Sequence, residues 1–426
     1  MAILSEAVTG PIGRTAGLVF LALGGLAHFD AFDYPPALAT LFALLAVGIA
    51  FLVPGVYLRH FTVSVPALML AMWIALSISW TEDFARTTFL VRIEVPFLIG
   101  FMICGALFTE RYLERGLLWM GRIGIFISAV ATATLPVTRG AVQTNGDVLE
   151  GWHALFQHKN EFGPFLALVF AIVLVADDHP ILRRVTLLAV FILTLGSQSV
   201  TALTTIVVIV TLYYWLRANS GLDGPLAAAA IVGSAAIAVT GALGGRAGLP
   251  FLLAATGKAP TFSGRTDIWA AVIGAIQDRP ILGYGRGGLF FGQANEETAL
   301  LWREIGFRPP HAHNGVLDIW LQLGIVGVVL YLLIFASSFR VLLDSYQRGE
   351  RFGMLGLLIM VAIFVAALSE PLYLGPYLSV LVLINVAGLR LNRNARHVGI
   401  KELTASDSDG DDSPARTLKV VEPLPK

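Results

Sequence analysis

The chain has 426 residues but a single cysteine, Cys104, few charged residues and no net charge. One thiol excludes an internal disulfide framework and any cysteine-based zinc site. Charged residues make up 14% of the chain, against about 25% in an ordinary soluble domain. Lys+Arg 29 and Asp+Glu 29 cancel, so no global basic field exists to recruit nucleic acid, and none is expected as a partner. No repeat of fixed period is visible. What the chain does have is apolar bulk: 56% hydrophobic residues and a mean hydropathy of +0.75. Length alone would suggest two or three soluble domains, but this composition predicts an all-α polytopic membrane protein instead.

A bilayer core of about 30 Å needs about 20 mostly apolar residues per helix. Strong runs lie near 37–58, 117–135, 199–217, 226–243, 316–336 and 371–389, and weaker ones near 16–29, 65–80, 95–108, 162–176, 181–196 and 354–368. About 12 transmembrane helices are therefore expected. The first run follows Arg14 but lacks a small-x-small cleavage site, so it reads as a span and not as a secretory signal. Both termini and the even-numbered connections carry most of the arginines, among them Arg14, Arg59, Arg111, Arg115, Arg183, Arg184, Arg217, Arg348, Arg351, Arg390 and Arg393. The odd-numbered short connections carry only Arg86, Arg139 and Lys159. That bias predicts cytoplasmic termini. The expected organisation is spans 1–9 over 1–243, an extracytoplasmic loop over 244–315, spans 10–12 over 316–390 and a disordered cytoplasmic tail over 391–426.

The long loop holds most of the chemistry. Ser263 to Gln277 reads as a helix capped by Ser263, with Ile268, Trp269, Val272, Ile273 and Ile276 on one apolar face. A glycine-rich turn follows, Gly283-Tyr284-Gly285-Arg286-Gly287-Gly288, then a short helix near Thr298–Ile305, then Pro309-Pro310-His311-Ala312-His313-Asn314 leading into the tenth span. The turn has neither a preceding strand nor a closing Gly-Lys-Ser/Thr, so it reads as a plain loop before a phosphate cradle. The proline pair is expected to hold the next residues extended.

Polar groups crowd this side: Arg86, His153, His158, Lys159, Asn160, Gln198, Arg265, Arg286, His311, His313, Asn314, Glu370 and Tyr373. His158-Lys159-Asn160 and His313-Asn314 each open a span, where unpaired N–H groups suit an anion, although Asn314 by itself also reads as an ordinary cap. Together with arginine they describe a cationic, histidine-containing mouth for a lipid phosphate or pyrophosphate. Arg92 and Glu94, charges within a span, belong at the outer mouth or the bundle interior. Asp177-Asp178-His179 reads as a solvated turn on the opposite side.

Three stretches resemble one family. Ser263-Gly264-Arg265-x-x-Ile268-Trp269, continuing to Arg279-Pro280-Ile281-Leu282-Gly283-Tyr284-Gly285, is similar to its S-G-R…W…P-x-x-G-x-G loop. His311-Ala312-His313-Asn314, with Leu317, Asp318, Leu323, Gly324 and Gly327, resembles its H-x-H-N…L…G-x-x-G signature. Phe156-x-His158-Lys159-Asn160-x-x-Gly163 resembles F-x-H-K-N-x-x-G, and Ser79-Trp80-Thr81 is a weaker match. The family is the O-antigen ligase/polymerase superfamily, and the branch is the exopolysaccharide-production polymerase-like one. One departure is visible: a ligase S-R-T group reads Ser199-Val200-Thr201 here, without the basic residue.

The resemblance implies a GT-C-like membrane glycosyltransferase of the bacterial inner membrane with its active site periplasmic. Its donor would be an undecaprenyl-diphosphate-linked oligosaccharide and its acceptor a hydroxyl on a glycan or lipid, with no metal and no cofactor. Arg265 and His313 match the family's catalytic positions. Lys159, His158, Asn160, Arg92, Arg286, His311 and Asn314 are the expected substrate- and diphosphate-binding residues. Polymerisation of exopolysaccharide or O-antigen repeats is the expected outcome. Ligation to lipid A-core or protein is the alternative, and precursor transport the reading from another class.

Overall fold

The computed structural model describes residues 62–139, 142–144, 147–149, 151–154, 156, 158–219, 265–290 and 296–408, with isolated positions near 20 and between 225 and 233. Apart from one antiparallel hairpin, β1 (Val142–Thr144) and β2 (Asp147–Leu149), the described elements are helical. They are α1 (Val65–Leu76), α2 (Phe84–Leu107), α3 (Glu110–Thr134), α4 (Lys159–Val175), α5 (Pro180–Ser197), α6 (Val200–Ala218), α7 (Arg265–Asp278), α8 (Glu296–Ile305), α9 (Gly315–Gln347), α10 (Arg351–Ala367) and α11 (Pro376–Ser408). Five of them, α2, α3, α5, α6 and α9, are long and apolar enough to cross a membrane.

Most of these helices coincide with the apolar runs, and their ends depart from them for physical reasons. The run near 95–108 belongs to a helix that starts at Phe84, because Asp83 caps it by accepting the Arg86 N–H (2.9 Å) and the buried Glu94 within it finds a partner in Arg286. Helix α9 continues to Gln347, past the run's end at 336. Helix α11 runs to Ser408, so residues 391–408 are helical where a disordered tail was expected; Leu391, Ala395 and Lys401 favour helix and no proline interrupts the stretch. The runs near 16–29, 37–58 and 226–243 lie outside the described residues, isolated positions apart.

Burial sorts the helices. In α4, α10 and the first half of α11 nearly every side chain is covered, from Phe162 and Phe165 to Leu357–Ile359 and Val380–Ile384. Helix α5 instead exposes Ile181, Leu182, Val185, Leu188, Ile192 and Leu195 along one side, an apolar face suited to hydrocarbon. The two ends of the bundle differ in charge. One end gathers Arg390 on Glu110 (2.7 Å), Arg351 on Asp177 (3.3 Å) and an Arg122–Asp178 ion pair. Asp178 is thus a partner of Arg122 with its side chain largely covered, while Asp177 and His179 on either side of it are exposed, as a solvated turn requires. The opposite end carries the N-termini of α2, α4, α6 and α9 together with α7 and α8.

That second end is organised by a break in α9. Gly324 has φ +67°, outside the helical region, and its neighbours lose their ladder partners. The loop 279–288 takes their place. Pro280 C=O accepts from Ile325 N–H (2.9 Å) and from the Trp320 indole (3.0 Å), while Tyr284 N–H donates to Leu321 C=O (2.9 Å). Trp73 of α1 donates to Leu323 C=O (2.9 Å). Gly283 (φ +67°) lies so close that a Cβ there would stand 2.7 Å from the Gln322 carbonyl. Below the turn, Arg286 pairs with the buried Glu94 through two guanidinium nitrogens and also donates to Gln322 Oε1. Its backbone is held as well, the N–H by Ser77 Oγ (3.2 Å) and the carbonyl by Thr87 Oγ1 (2.7 Å). Glu94 thus faces inward and Arg92, two residues away, is exposed on α2.

The Arg286–Glu94 pair anchors the loop, and this generates a first prediction. Arg286→Ala should destabilise the protein by about 3–5 kcal/mol, the usual cost of leaving one buried charge alone. Thermal melting in detergent would read it. Glu94→Gln combined with Arg286→Met should recover most of the loss, and an unchanged melting temperature in Arg286→Ala would show the pair to be incidental.

Candidate active site

Glu370 sits in the connection between α10 and α11 and is only 1% exposed. It is the sole charged residue between Arg351 and Arg390. A carboxylate so placed needs partners, and three come from two other segments. Arg265 Nη2, at the start of α7, donates to Oε1 (3.1 Å). His313 Nδ1 lies 3.4 Å from Oε2, and His311 Nε2 lies 4.0 Å from the same oxygen. The preceding Ser369 hydroxyl bonds to Thr201 of α6 (2.8 Å). Gly315 lets α9 begin against this connection, since a Cβ there would be 3.1 Å from both Ala367 Cβ and the Tyr373 ring.

Local sequence shapes the histidine segment. His313 does not arrive extended, as the two prolines suggested, but takes a left-handed φ of +49°. Such a backbone costs a β-carbon residue about 1–2 kcal/mol. Several contacts offset it. His311 Nδ1 accepts the His313 N–H (3.2 Å), Asn314 Oδ1 caps α9 by accepting from Val316 (3.0 Å) and Leu317 (3.1 Å), and Ala312 N–H reaches Asp318 (3.4 Å). Ala312 C=O accepts from the Trp269 indole (3.0 Å), which ties α7 to the segment. The apolar face expected on α7 is real at Ile268, Val272 and Ile276, joined by Ala271, and packs on Leu301, Ile305 and Leu321; Ile273 is exposed.

His158 repeats the His311 arrangement. It caps α4, its Nδ1 accepting the Asn160 N–H (3.1 Å). In both rings the acceptor Nδ1 fixes the neutral tautomer, so each proton rides on Nε2. The charges of Glu370 and His313 act on His158, which draws it into the same group. Burial dominates the electrostatics. It lowers His313 to about 3, with help from Arg265, lowers His311 to about 3, and lowers His158 to about 4. Burial also raises Glu370, against the pull of His311, Arg265 and His158. The imidazoles are therefore neutral near pH 7.

Ligand-type atoms of His311, His313 and Glu370 lie within 4.8 Å of one another. Donor chemistry does not suit a metal: His311 Nε2 keeps its proton while Nδ1 accepts a backbone N–H, and the Arg265 guanidinium already occupies Glu370 Oε1.

The other residues singled out in the sequence divide into two groups. Lys159 and Asn160, half-buried, open α4 beside His158, and Asn314 opens α9 as its cap. Arg286 is engaged by Glu94 and Gln322, and Arg92 stands on the exposed side of α2. Glu370, the centre of the cluster, was visible among the outer polar groups but not recognised as a site residue. Its signal was there: one carboxylate isolated in an otherwise uncharged stretch.

These shifts set a pH dependence of stability. Three imidazoles held below their ordinary value of about 6.5 mean that the unfolded chain binds more protons than the folded one as pH falls through that region. Their contribution is complete above about pH 6.5 and is lost progressively toward about pH 3, with the raised Glu370 opposing as one group against three. The melting temperature should be level near neutrality and fall on acidification. His311→Asn, which keeps an acceptor for the His313 N–H, should shallow that decline; an identical acid limb would contradict the assignment.

The O-antigen ligase family model matches residues 185–332, from α5 through the histidine segment into α9. The exopolysaccharide production protein ExoQ of Rhizobium meliloti is 29% identical over 54% of this chain and 57% of its own length. Provisionally named polysaccharide ligases of Rickettsia conorii and Rickettsia prowazekii are 35% and 36% identical, each over 17% of this chain and 18% of their own length. The chain thus spans just over half of the first relative and under a fifth of the others. The matched segment and these relatives together make the chain similar to the O-antigen ligase/polymerase superfamily, and most extensively to its exopolysaccharide-production branch.

Proposed function

We propose that the protein is a periplasmic-face glycosyltransferase that moves a glycan from undecaprenyl diphosphate to an acceptor hydroxyl, joining repeat units into exopolysaccharide. The observation that carries this reading is the meeting of Arg265 and His313 on Glu370, at the end of the bundle away from its arginine-rich end. Arginine bias assigns the latter to the cytoplasm, which puts the cluster on the outer side of a twelve-span inner-membrane protein, with residues 244–315 as its large outer loop.

The chemistry follows from the groups present. Cleavage of the anomeric C–O bond expels a diphosphate whose growing charge needs cations in a partly desolvated site. Among the described residues Arg265 makes one polar contact, with Glu370, which leaves the rest of its fork for phosphate oxygens. Lys159, at the α4 N-terminus beside His158, supplies a second positive charge. His313, neutral and 16% exposed, accepts the proton of the acceptor hydroxyl as oxygen attacks the anomeric carbon. Arg286 serves the loop's architecture, and Arg92 has no part in this scheme.

The likeness to polysaccharide ligases supports ligation to lipid A-core or protein as a second reading. Val200, 69% exposed at the start of α6 where a ligase-type arginine would stand, favours the polymerase. What a deletion strain accumulates separates the two: single lipid-linked repeats for a polymerase, long lipid-linked chains for a ligase, inner-face precursor for a transporter. His313→Ala and Arg265→Ala should each abolish polymer at normal protein levels, and polymer of wild-type amount and length in His313→Ala would end the proposal.

A further inference from the structure

Within that reading, on which the inference rests, Glu370 remains without a role beyond pairing. Two of the buried polar atoms that lack a hydrogen-bond partner are His313 Nδ1 and Glu370 Oε2, and they face each other at 3.4 Å. His311 cannot satisfy His313 through that nitrogen, because its own Nδ1 is taken by the His313 backbone N–H and its Nε2 points to Glu370 from 4.0 Å. Arg265 holds the other carboxylate oxygen. Glu370 also lies beyond residues 185–332, the segment that the family model covers.

We infer that Glu370 is the positioning residue of the His313 base: its Oε2 receives a proton held on His313 Nδ1, so that Nε2 carries the lone pair that takes the acceptor's proton. The assignment makes His313 the odd member of the histidine group. His158 and His311 are locked with the proton on Nε2 by backbone donors, whereas His313 Nδ1 meets no backbone donor and faces a carboxylate oxygen at 3.4 Å. In the transfer the acceptor O–H proton moves to Nε2, the oxygen bonds to the anomeric carbon, and the C–O bond to the diphosphate breaks with its electron pair leaving on phosphate oxygen. The imidazolium so formed has Glu370 against its Nδ1–H. The charged and titratable groups around that carboxylate are Arg265 from α7, His311 and His313 from the segment before α9, His158 from the α4 cap and Tyr377 from α11. Burial raises Glu370 and Arg265 pulls against that rise, while the same guanidinium disfavours a premature charge on His313.

The test uses full-length protein in lipid nanodiscs with a defined undecaprenyl-diphosphate oligosaccharide, following release of undecaprenyl diphosphate. In Glu370→Gln the amide can donate to Nδ1 and impose the opposite tautomer. kcat should then fall by about 10²–10⁴-fold, the range for a base in the wrong tautomer, while KM for the donor changes little. A raised donor KM with unchanged kcat would overturn the inference, making Glu370 an anchor for Arg265 alone. Near-wild-type Glu370→Gln beside inactive His313→Ala would also overturn it while sparing His313 as base; active His313→Ala would instead remove the functional reading beneath. Should Glu370→Gln fail to fold, ¹⁵N spectra of histidine-labelled wild-type protein decide directly. A proton on His313 Nδ1 is expected, and one on Nε2 sinks the assignment.

Discussion

A peptide group buried in a helical bundle has no water to turn to, so a broken helix must be mended by something else. In α9 the break at Gly324 frees Leu321 and Leu323 carbonyls and the Ile325 amide, and the mending comes from the loop 279–288 and the indole of Trp73. The site follows from this splice. With Pro280 and Tyr284 hydrogen-bonded to α9, helix α7 immediately before them has to lie across the start of α9. Arg265, the first residue of α7, then reaches the α10–α11 connection from above. The buried Arg286–Glu94 pair fixes the loop from below, through α2.

The same packing controls the chemistry. Arg265, His311, His313 and Glu370 come from three separate segments, and each would be nearly unremarkable in water. Excluding solvent changes their proton affinities in opposite directions: the imidazoles become reluctant cations and the carboxylate a reluctant anion. Arginine, which does not lose its charge, pulls the carboxylate back toward its ionised form against that burial. The site therefore holds a neutral imidazole at ordinary pH without a solvent-exposed base, and a cation that is partly committed but not saturated. A left-handed His313 is the local strain that this arrangement tolerates, held by its neighbours' caps.

Much of this was legible from the chain. The loop helices were expected almost where α7 and α8 lie, because Ile268, Val272 and Ile276 recur at helical spacing. The Asn314 cap was readable for the same local reason. What the chain hid has one cause. Arg92 and Glu94 were read together because they are near in sequence, but two residues along a helix point to different sides, and the partner of Glu94 lies 192 residues away in Arg286. Asp178 likewise finds its partner, Arg122, on another helix, within a turn whose other two residues are exposed.

Composition and arginine placement, by themselves, determined that the chain is a helical membrane protein with one histidine-rich, arginine-bearing loop, because hydropathy and charge bias act locally on each segment. Motif spacing determined which residues to watch. Only the tertiary structure decided which of them meet. It brought Arg265 and His313 to a single carboxylate, set Arg286 aside for Glu94, and made Glu370 the hub. The reason is physical: a buried charge is satisfied by whatever packing brings within hydrogen-bond reach, and that distance is invisible along the chain.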